Sequence, residues 1–236
     1  MEKGKLYLIP VPLGDSGELP SVLPASNSLI VNSIQIFVVE NEKTARRHLK
    51  QMGLATRMDE LILHTLNEQT PPEQIPDFLK DCMDGKDTGL LSEAGCPAVA
   101  DPGSELVKRA HEKNIQVIPL VGPSSILLAL MASGMNGQNF CFNGYLPKEQ
   151  KARIAKLREL ERQVRKSNQT QIFIETPYRN SHVIEDAINT LSADLLFCIA
   201  CNLTQPDEVI KTLTVSEWKK QKPDVNKRPA IFLVGK

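Results

Sequence analysis

"GLLSEAGCPAVADPGSELVKRA", residues 89–110, decides how the rest of the chain is read. A short apolar lead-in, Gly89 to Leu91, runs into a stretch of Gly, Pro and small side chains that carries Glu93 and Asp101, and then into a helical pattern. Strand, loop and helix in that order make half of a βαβ unit. Ser104, with Glu105 behind it and Lys108 and Arg109 further on, reads as the helix N-cap. Gly95 and Gly103 let backbone come close to a ligand, while Pro97 and Pro102 stiffen the turns.

The same alternation extends outward in both directions. Apolar runs at "KLYLIP", "SLIVNSIQIFVVE", "TGLLSE", "IQVIPLV", "TQIFIET", "LLFCIAC" and "AIFLVGK" read as strands, several without polar alternation. Helical patterns lie between most of them, including "EKTARRHLKQMG", "PEQIPDFLKDCMDG", "SSILLALMASG", "KEQKARIAKLRELERQVRKS" and "YRNSHVIEDAINTLS". The predicted fold class is therefore α/β, with largely parallel sheets covered on both faces. Gly134 reads as the stop after "ILLALMAS". The Gly- and Asn-rich stretch "GMNGQNFCFNGYLPKEQ", residues 134–150, is expected to be a linker or mobile loop. The length allows one large domain or two small ones.

Composition bounds the function. With 236 residues, 41% of them apolar, the chain can bury a substantial core. Lys plus Arg equals Asp plus Glu at 28 each, so no whole-protein field favours nucleic acid or membrane. No apolar run approaches the ~18 residues of a membrane span, and the N-terminal run is too short for a signal peptide; a soluble cytoplasmic protein is expected. Five cysteines at irregular spacing argue against a disulfide framework. Cys198 and Cys201 fall on opposite faces of a strand, which favours a core strand over a redox or metal pair. His48, His64, His111 and His182 lack metal-ligand spacing, so surface or helix-lining roles and no metal are predicted.

In parallel α/β sheets, ligands sit where strand ends feed helix N-termini. Three loops qualify: "IPVPLGDSGELP", the opening stretch, and "PLVGPSSILLAL". Neither G-x-G-x-x-G nor a Walker A lysine is present, which argues against nucleotide-phosphate binding. Gly and Pro also mark ordinary tight turns, but three such loops at strand ends point to a site for a flat, partly apolar ligand, with Ser92, Ser124 and Ser125 as hydroxyl donors.

"LYLIPVPLGD", "GLLSEAGCPAVADPGSELVKRA", "IQVIPLVGPSSILLALMASGM", "FNGYLPKEQKAR" and "IFIETPYRNSHVIEDA" follow one another as matching blocks do in one branch of the tetrapyrrole methylase superfamily. The chain resembles, over nearly its whole length, the S-adenosylmethionine-dependent methyltransferases that modify ribose 2′-hydroxyls of small-subunit ribosomal RNA. The resemblance implies a two-domain, non-Rossmann α/β methyltransferase, with α/β domains at 1–120 and 121–236, the cofactor in the interdomain cleft, and a homodimer. It implies cofactor contacts from Pro12, Leu13 and Gly14; from Ser92, Glu93, Ala94, Gly95, Cys96 and Pro97; and from Gly122, Pro123, Ser124 and Ser125. In the second domain the matching positions are Glu175, Thr176 and Pro177, then Asn202, Leu203 and Thr204, then Pro229 and Ala230.

The chain departs from the family pattern at the acceptor side. Where the family has AEDTR this sequence has Val39-Glu40-Asn41-Glu42-Lys43; where it has DAGTP, Glu93 and Cys96 replace the acid and the hydroxyl; SPHR becomes Thr176, Pro177, Tyr178 and Arg179. A ribose hydroxyl is a poor acid, so a nearby carboxylate would help. Glu93 and Glu175 are the candidate catalytic groups; Glu40 and Asp101 share the matching loops, and each of the four is also suited to a turn or cap role. Glu40, Lys43 and Arg179 are candidate acceptor contacts. Between Lys148 and Lys166, eight basic residues face three acids, with Ile154, Leu157, Leu160 and Val164 at helical spacing to seat the helix. Lys151, Lys156 and Arg162 are candidate phosphate contacts for ribosomal RNA or the small subunit; a plain solvated face is the other reading. The remaining functional readings are methylation of a small molecule or tetrapyrrole, and a non-catalytic S-adenosylmethionine-binding protein.

Overall fold

The computed structural model describes residues 2–14, 22–221 and 223–236. They form two compact units, Met1–Ser124 and Ser125–Lys236, so the Gly122–Pro123 turn belongs to the first sheet.

In the first unit β1 (Leu6–Leu8), β2 (Ile36–Val39), β3 (Ile62–Thr65), β4 (Thr88–Leu91) and β5 (Val117–Pro119) pair in the order β3-β2-β4-β1-β5, all parallel. The helices α1 (Ala25–Val31), α2 (Glu42–Gln51), α3 (Lys80–Met83) and α4 (Gly103–Glu112) connect them, with a 3-10 turn at Ile75–Leu79. Alternate strand residues enter two cores: Ile9, Phe37, Val39 and Leu91 pack with Leu49, while Leu6, Val38 and Leu90 pack with Leu106 and Ala110. Burial on both faces is why these strands read as unbroken apolar runs.

The second unit is where the parallel-sheet expectation fails. Strands β6 (Phe140–Tyr145), β7 (Thr170–Glu175), β8 (Leu196–Cys201), β9 (Val209–Thr214) and β10 (Ala230–Gly235) pair in the order β6-β7-β10-β8-β9. Only β6 and β7 are parallel; β10 runs antiparallel to β7 and β8, and β8 to β9. Helices α6 (Gln150–Ser167) and α7 (Asn180–Thr190) cover one face through Leu157, Leu160, Val164, Val183 and Ala187, over the stacked rings of Phe173, Phe232 and Phe197. The short α8 (Val215–Trp218) adds Trp218, whose indole N–H donates to the Phe197 carbonyl at 2.7 Å. On the other side α5 (Ser125–Ser133) packs on β9 and β10. Cys201 joins the core under α6 and α7 and Cys198 does not; both thiols are buried and free.

Three local expectations are corrected. "SLIV" is the end of α1, because the Asn32 side chain turns the chain there: its amide donates to the Ser28 and Gly53 carbonyls and its oxygen accepts the Ala55 N–H. Residues 134–150 are no loop, since they supply edge strand β6, where Asn143 donates to the Cys141 and Ile172 carbonyls and the register shifts beside Gly144; an edge tolerates such irregularity. Ser104 lies inside α4. Asp101 does the capping instead, accepting N–H groups from Gly103 at 2.8 Å and Ala98 at 3.0 Å.

Candidate cofactor and acceptor site

Strands β4, β1 and β5 are neighbours, so the three loops singled out from the sequence leave the same edge of the first sheet. Each is fastened to the others. Val11 and Gly95 exchange backbone hydrogen bonds of 2.9 and 3.1 Å. The Cys96 thiol donates to the Pro123 carbonyl at 3.4 Å. A Cβ on Gly122 would lie 2.2 Å from that of Pro10, so only hydrogen fits there. Gly95 has φ +71°, and its Cβ would meet Leu13 at 3.0 Å and the Pro123 carbonyl at 3.3 Å. Pro12, Leu13, Gly14, Ser92, Glu93, Ala94, Gly95, Cys96, Pro97, Gly122, Pro123 and Ser124 thus belong to one cluster. The rest of the first loop, from Asp15 to Pro20, lies outside the described residues.

Within the cluster Pro12, Pro97 and Pro123 are buried, while Glu93 and Ala94 face outward. Ser92 donates its hydroxyl to the Ala94 carbonyl at 3.1 Å. Burial pushes the Cys96 thiol up, so it stays a neutral donor in the place of the family's hydroxyl. Ala98 and Ala100 are held at φ 66° and 62°, a conformation costing roughly 1–2 kcal/mol each; the two Ala98 N–H bonds to Asp101 offset part of this.

Beside β4, the end of β2 brings a carboxylate onto this loop. Glu40 accepts the Glu93 N–H at 3.4 Å, and Thr44 Oγ1 donates to the Glu93 side chain at 3.3 Å. His48, nearly fully buried, has Nε2 3.3 Å from the Glu93 carbonyl. Asn41 caps α2 by accepting the Thr44 N–H at 3.1 Å, which aspartate would do equally well; this departure from the family pattern leaves the cap intact. Burial holds the Glu40 carboxyl above the usual range, opposed by the Glu93 N–H and reinforced by repulsion from Glu93, Asp101 and Glu68. Lys43 is exposed. Thr44 escaped the sequence reading, and His48 figures there only as a surface or helix-lining residue, although Asn41, Thr44, Ala45 and His48 share one face of a helix and that periodicity marks them.

In the second unit Glu175, Ala230 and Cys201 stand in register across β7, β10 and β8. Thr176, Pro229 and Asn202 therefore continue from one edge, and Asn202 N–H donates to the Pro229 carbonyl at 2.9 Å. Asn202 and Thr204 have positive φ, with Asn202 donating to Asp207 at 2.7 Å and the Thr204 N–H to Glu208 at 2.7 Å; Leu203 between them is buried. Glu175 is fully buried at its side chain. Its Oε1 accepts Arg179 Nε at 2.9 Å, Arg179 Nη2, and the Thr176 N–H at 2.6 Å. Glu175 Oε1 and Arg179 thus hold each other, while Glu175 Oε2 is buried with no hydrogen-bond partner among the described residues. Ser125 is the first residue of α5.

On α6 the basic residues divide. Arg153 is buried and paired with Asp186 at 2.6 Å, donating also to the Lys148 carbonyl at 2.8 Å. Lys156 pairs with Glu159 at 2.9 Å, and Arg165 with Glu161 and Asp194 at 2.9 and 2.8 Å. Lys151 and Arg162 are exposed and have no ion pair among the described residues. No group of three or more His, Cys, Asp or Glu among the described residues is placed to hold a metal ion.

Known proteins share this fold. Two solved methyltransferase structures share the fold: CobJ (TM-score 0.65, 18% identity, covering 98% of this chain and 94% of that one) and the cobalt precorrin-4 methyltransferase CbiF (0.63, 15%, 98% and 94%). The ribosomal RNA small subunit methyltransferase I of Vibrio cholerae serotype O1 is 30% identical over 233 residues, 97% of this chain and 76% of that protein. That of Escherichia coli O157:H7 is 29% identical over 236 residues, 98% and 78%. Residues 5–219, which carry the three fastened loops and both sheets up to β9, match the family model of the Tetrapyrrole (Corrin/Porphyrin) Methylases, and the chain belongs to that family of methyltransferases.

Proposed function

We propose that the chain is a cytoplasmic, homodimeric S-adenosylmethionine-dependent methyltransferase whose acceptor is a ribose 2′-hydroxyl of small-subunit ribosomal RNA. The observation that carries this reading is the cluster of three loops fastened through Gly95, Gly122 and Cys96. Its residues fit a flat cofactor: glycines keep Cβ atoms out of the approach, and buried prolines fix the walls. S-adenosylmethionine, when bound, supplies an electrophilic methyl group on a sulfonium sulfur. The cluster's task is orientation, which suits an in-line displacement. Thr176, Asn202, Leu203, Thr204, Pro229, Ala230 and Ser125 stay in the proposal as further cofactor contacts, on the family resemblance. The names of the relatives support ribosomal RNA over a tetrapyrrole acceptor.

Of the carboxylates, Glu40 is best suited to take the hydroxyl proton, because it is half-buried, held on the Glu93 N–H, and has raised proton affinity. Glu93 and Lys43 then border the acceptor, and the Glu175–Arg179 pair shapes the second unit's loop. A raised carboxyl pKa has a definite sign in stability. The folded state disfavours ionised Glu40, so stability falls as pH rises from the ordinary carboxylate range through the raised value, and stays lower above it. Glu40→Gln is therefore expected to raise the thermal midpoint at pH 7 and remove that pH step, while methyl transfer falls by about 100-fold or more. A variant that loses stability but keeps activity would exclude this role.

Exposed apolar side chains support a dimer: Leu29 and Val121 in the first unit, and Leu127 and Met131 one turn apart on α5, are each more than half exposed. The acceptor is tested by supplying tritium-methyl S-adenosylmethionine with unmodified small ribosomal subunits. Label is expected in RNA, and specifically in alkali-stable dinucleotides, since a 2′-O-methyl group removes the nucleophile that alkali needs. Label on the bases would overturn the ribose assignment. No label in RNA, with transfer to a tetrapyrrole, would restore the small-molecule reading.

A further inference from the structure

We infer that α6 presents a phosphate-gripping stripe made of Lys151, Arg158, Arg162 and Lys166, along which a strand of the RNA acceptor lies. The inference deepens the proposed function and rests on its RNA acceptor. The spacing is what selects these residues: 151, 158, 162 and 166 fall within about a quarter of the helix circumference at 3.6 residues per turn. Leu157, Leu160 and Val164, with buried Arg153, occupy the opposite side. All four stripe residues are exposed, and none has an ion pair among the described residues. The other cations of this helix are paired within the chain: Arg153 in a buried pair with Asp186, and Lys156 and Arg165 in partly exposed pairs with Glu159 and with Glu161 and Asp194. The helix thus separates cations that are paired within the chain from cations that have no ion pair among the described residues.

A solvated face accounts poorly for that separation. Lys151 sits in the first turn of α6, where the helix dipole disfavours a cation, and no described acid is paired with it. Along the axis the stripe runs about 22 Å, and its last three members are spaced about 6 Å apart, comparable with neighbouring phosphates on one RNA strand. On a chain of zero net charge, such a row is a local electrostatic footprint. Arg158 and Lys166 enter the acceptor surface in this account, and Lys156 leaves it.

The test compares two variants of the full chain binding an unmodified small-subunit ribosomal RNA transcript across a salt series. In the first, Lys151→Gln, Arg158→Gln, Arg162→Gln and Lys166→Gln are combined; in the second, Lys156→Gln and Arg165→Gln. The first should weaken binding and flatten the plot of log affinity against log salt by roughly 0.7–0.9 per lost phosphate contact. Its thermal midpoint and S-adenosylmethionine affinity should not move. The second should leave the salt slope close to that of the unaltered protein. Equal slopes for the first variant and the unaltered protein overturn the stripe while leaving the RNA acceptor standing, because the unaltered protein still binds and methylates. Equal losses in both variants mean diffuse charge and also overturn it. A change in oligomeric mass with unchanged RNA binding would assign the stripe to a protein contact instead. If the unaltered protein neither binds nor methylates the transcript or the subunit, the acceptor reading fails and the stripe falls with it.

Discussion

Replacing Arg153 with alanine is expected to cost the second unit about 3–5 kcal/mol, because removing one partner of a buried ion pair strands the other charge. Arg153 and Asp186 are both about 6% exposed at the side chain and 2.6 Å apart. Gln150 alone would remain on Asp186, at 2.8 Å, and one amide does not compensate a desolvated carboxylate. The guanidinium also donates to the Pro147 and Lys148 carbonyls, so the turn leading into α6 loses its anchor as well. Against a typical total of about 5–15 kcal/mol this is a large fraction. Trp218 is the chain's single tryptophan and is buried in the same core, so its fluorescence during denaturant unfolding reports this unit. The double replacement Arg153→Met with Asp186→Leu should recover most of the loss, since a well-packed apolar pair can match a buried ion pair. A loss below about 1 kcal/mol for Arg153→Ala would mean the pair is solvated, contrary to its burial.

The second large effect is expected at Gly95. Valine there would adopt φ near +71°, which for a β-branched residue is a strained conformation, and its Cβ would press on Leu13 and the Pro123 carbonyl. The chain can relieve that strain by breaking the Val11–Gly95 bridge, which parts the first loop from the second. Gly95→Val should therefore lower S-adenosylmethionine affinity by at least about tenfold, or 1.4 kcal/mol, by calorimetry. The Trp218 unfolding signal should be unchanged, because that residue belongs to the other unit's core. Gly122→Ala makes a useful companion, since its Cβ would overlap the Pro10 ring outright. Unchanged affinity in both variants would place the cofactor away from these loops.

Much of this was legible in the sequence. Residues 89–110 announce strand, glycine loop and helix, and the matching blocks carry the family resemblance by themselves. Local periodicity also seats α6 correctly through Leu157, Leu160 and Val164. Less legible were the acceptor-side departures. Asn41 proves a sufficient cap and Cys96 a sufficient donor, but both conclusions need the Thr44 N–H and the Pro123 carbonyl in place.

What the sequence by itself determined is the set of elements and their loops, because apolar period, glycine and proline act over a few residues at a time. What only the tertiary structure decided is pairing. Whether β10 runs parallel or antiparallel to β7 depends on chain far away in sequence, and so does the fate of each charge. Helical period places Arg153 on the face of Leu157, Leu160 and Val164 and Arg158 on the opposite one, but it does not state that Arg153 meets Asp186 from another helix while Arg158 meets no acid and faces water. Glu40 likewise gains its proton affinity from burial and from Glu93, Asp101 and Glu68, neighbours brought to it by folding. Charges act through space at the distances that folding sets, and no local pattern states those distances.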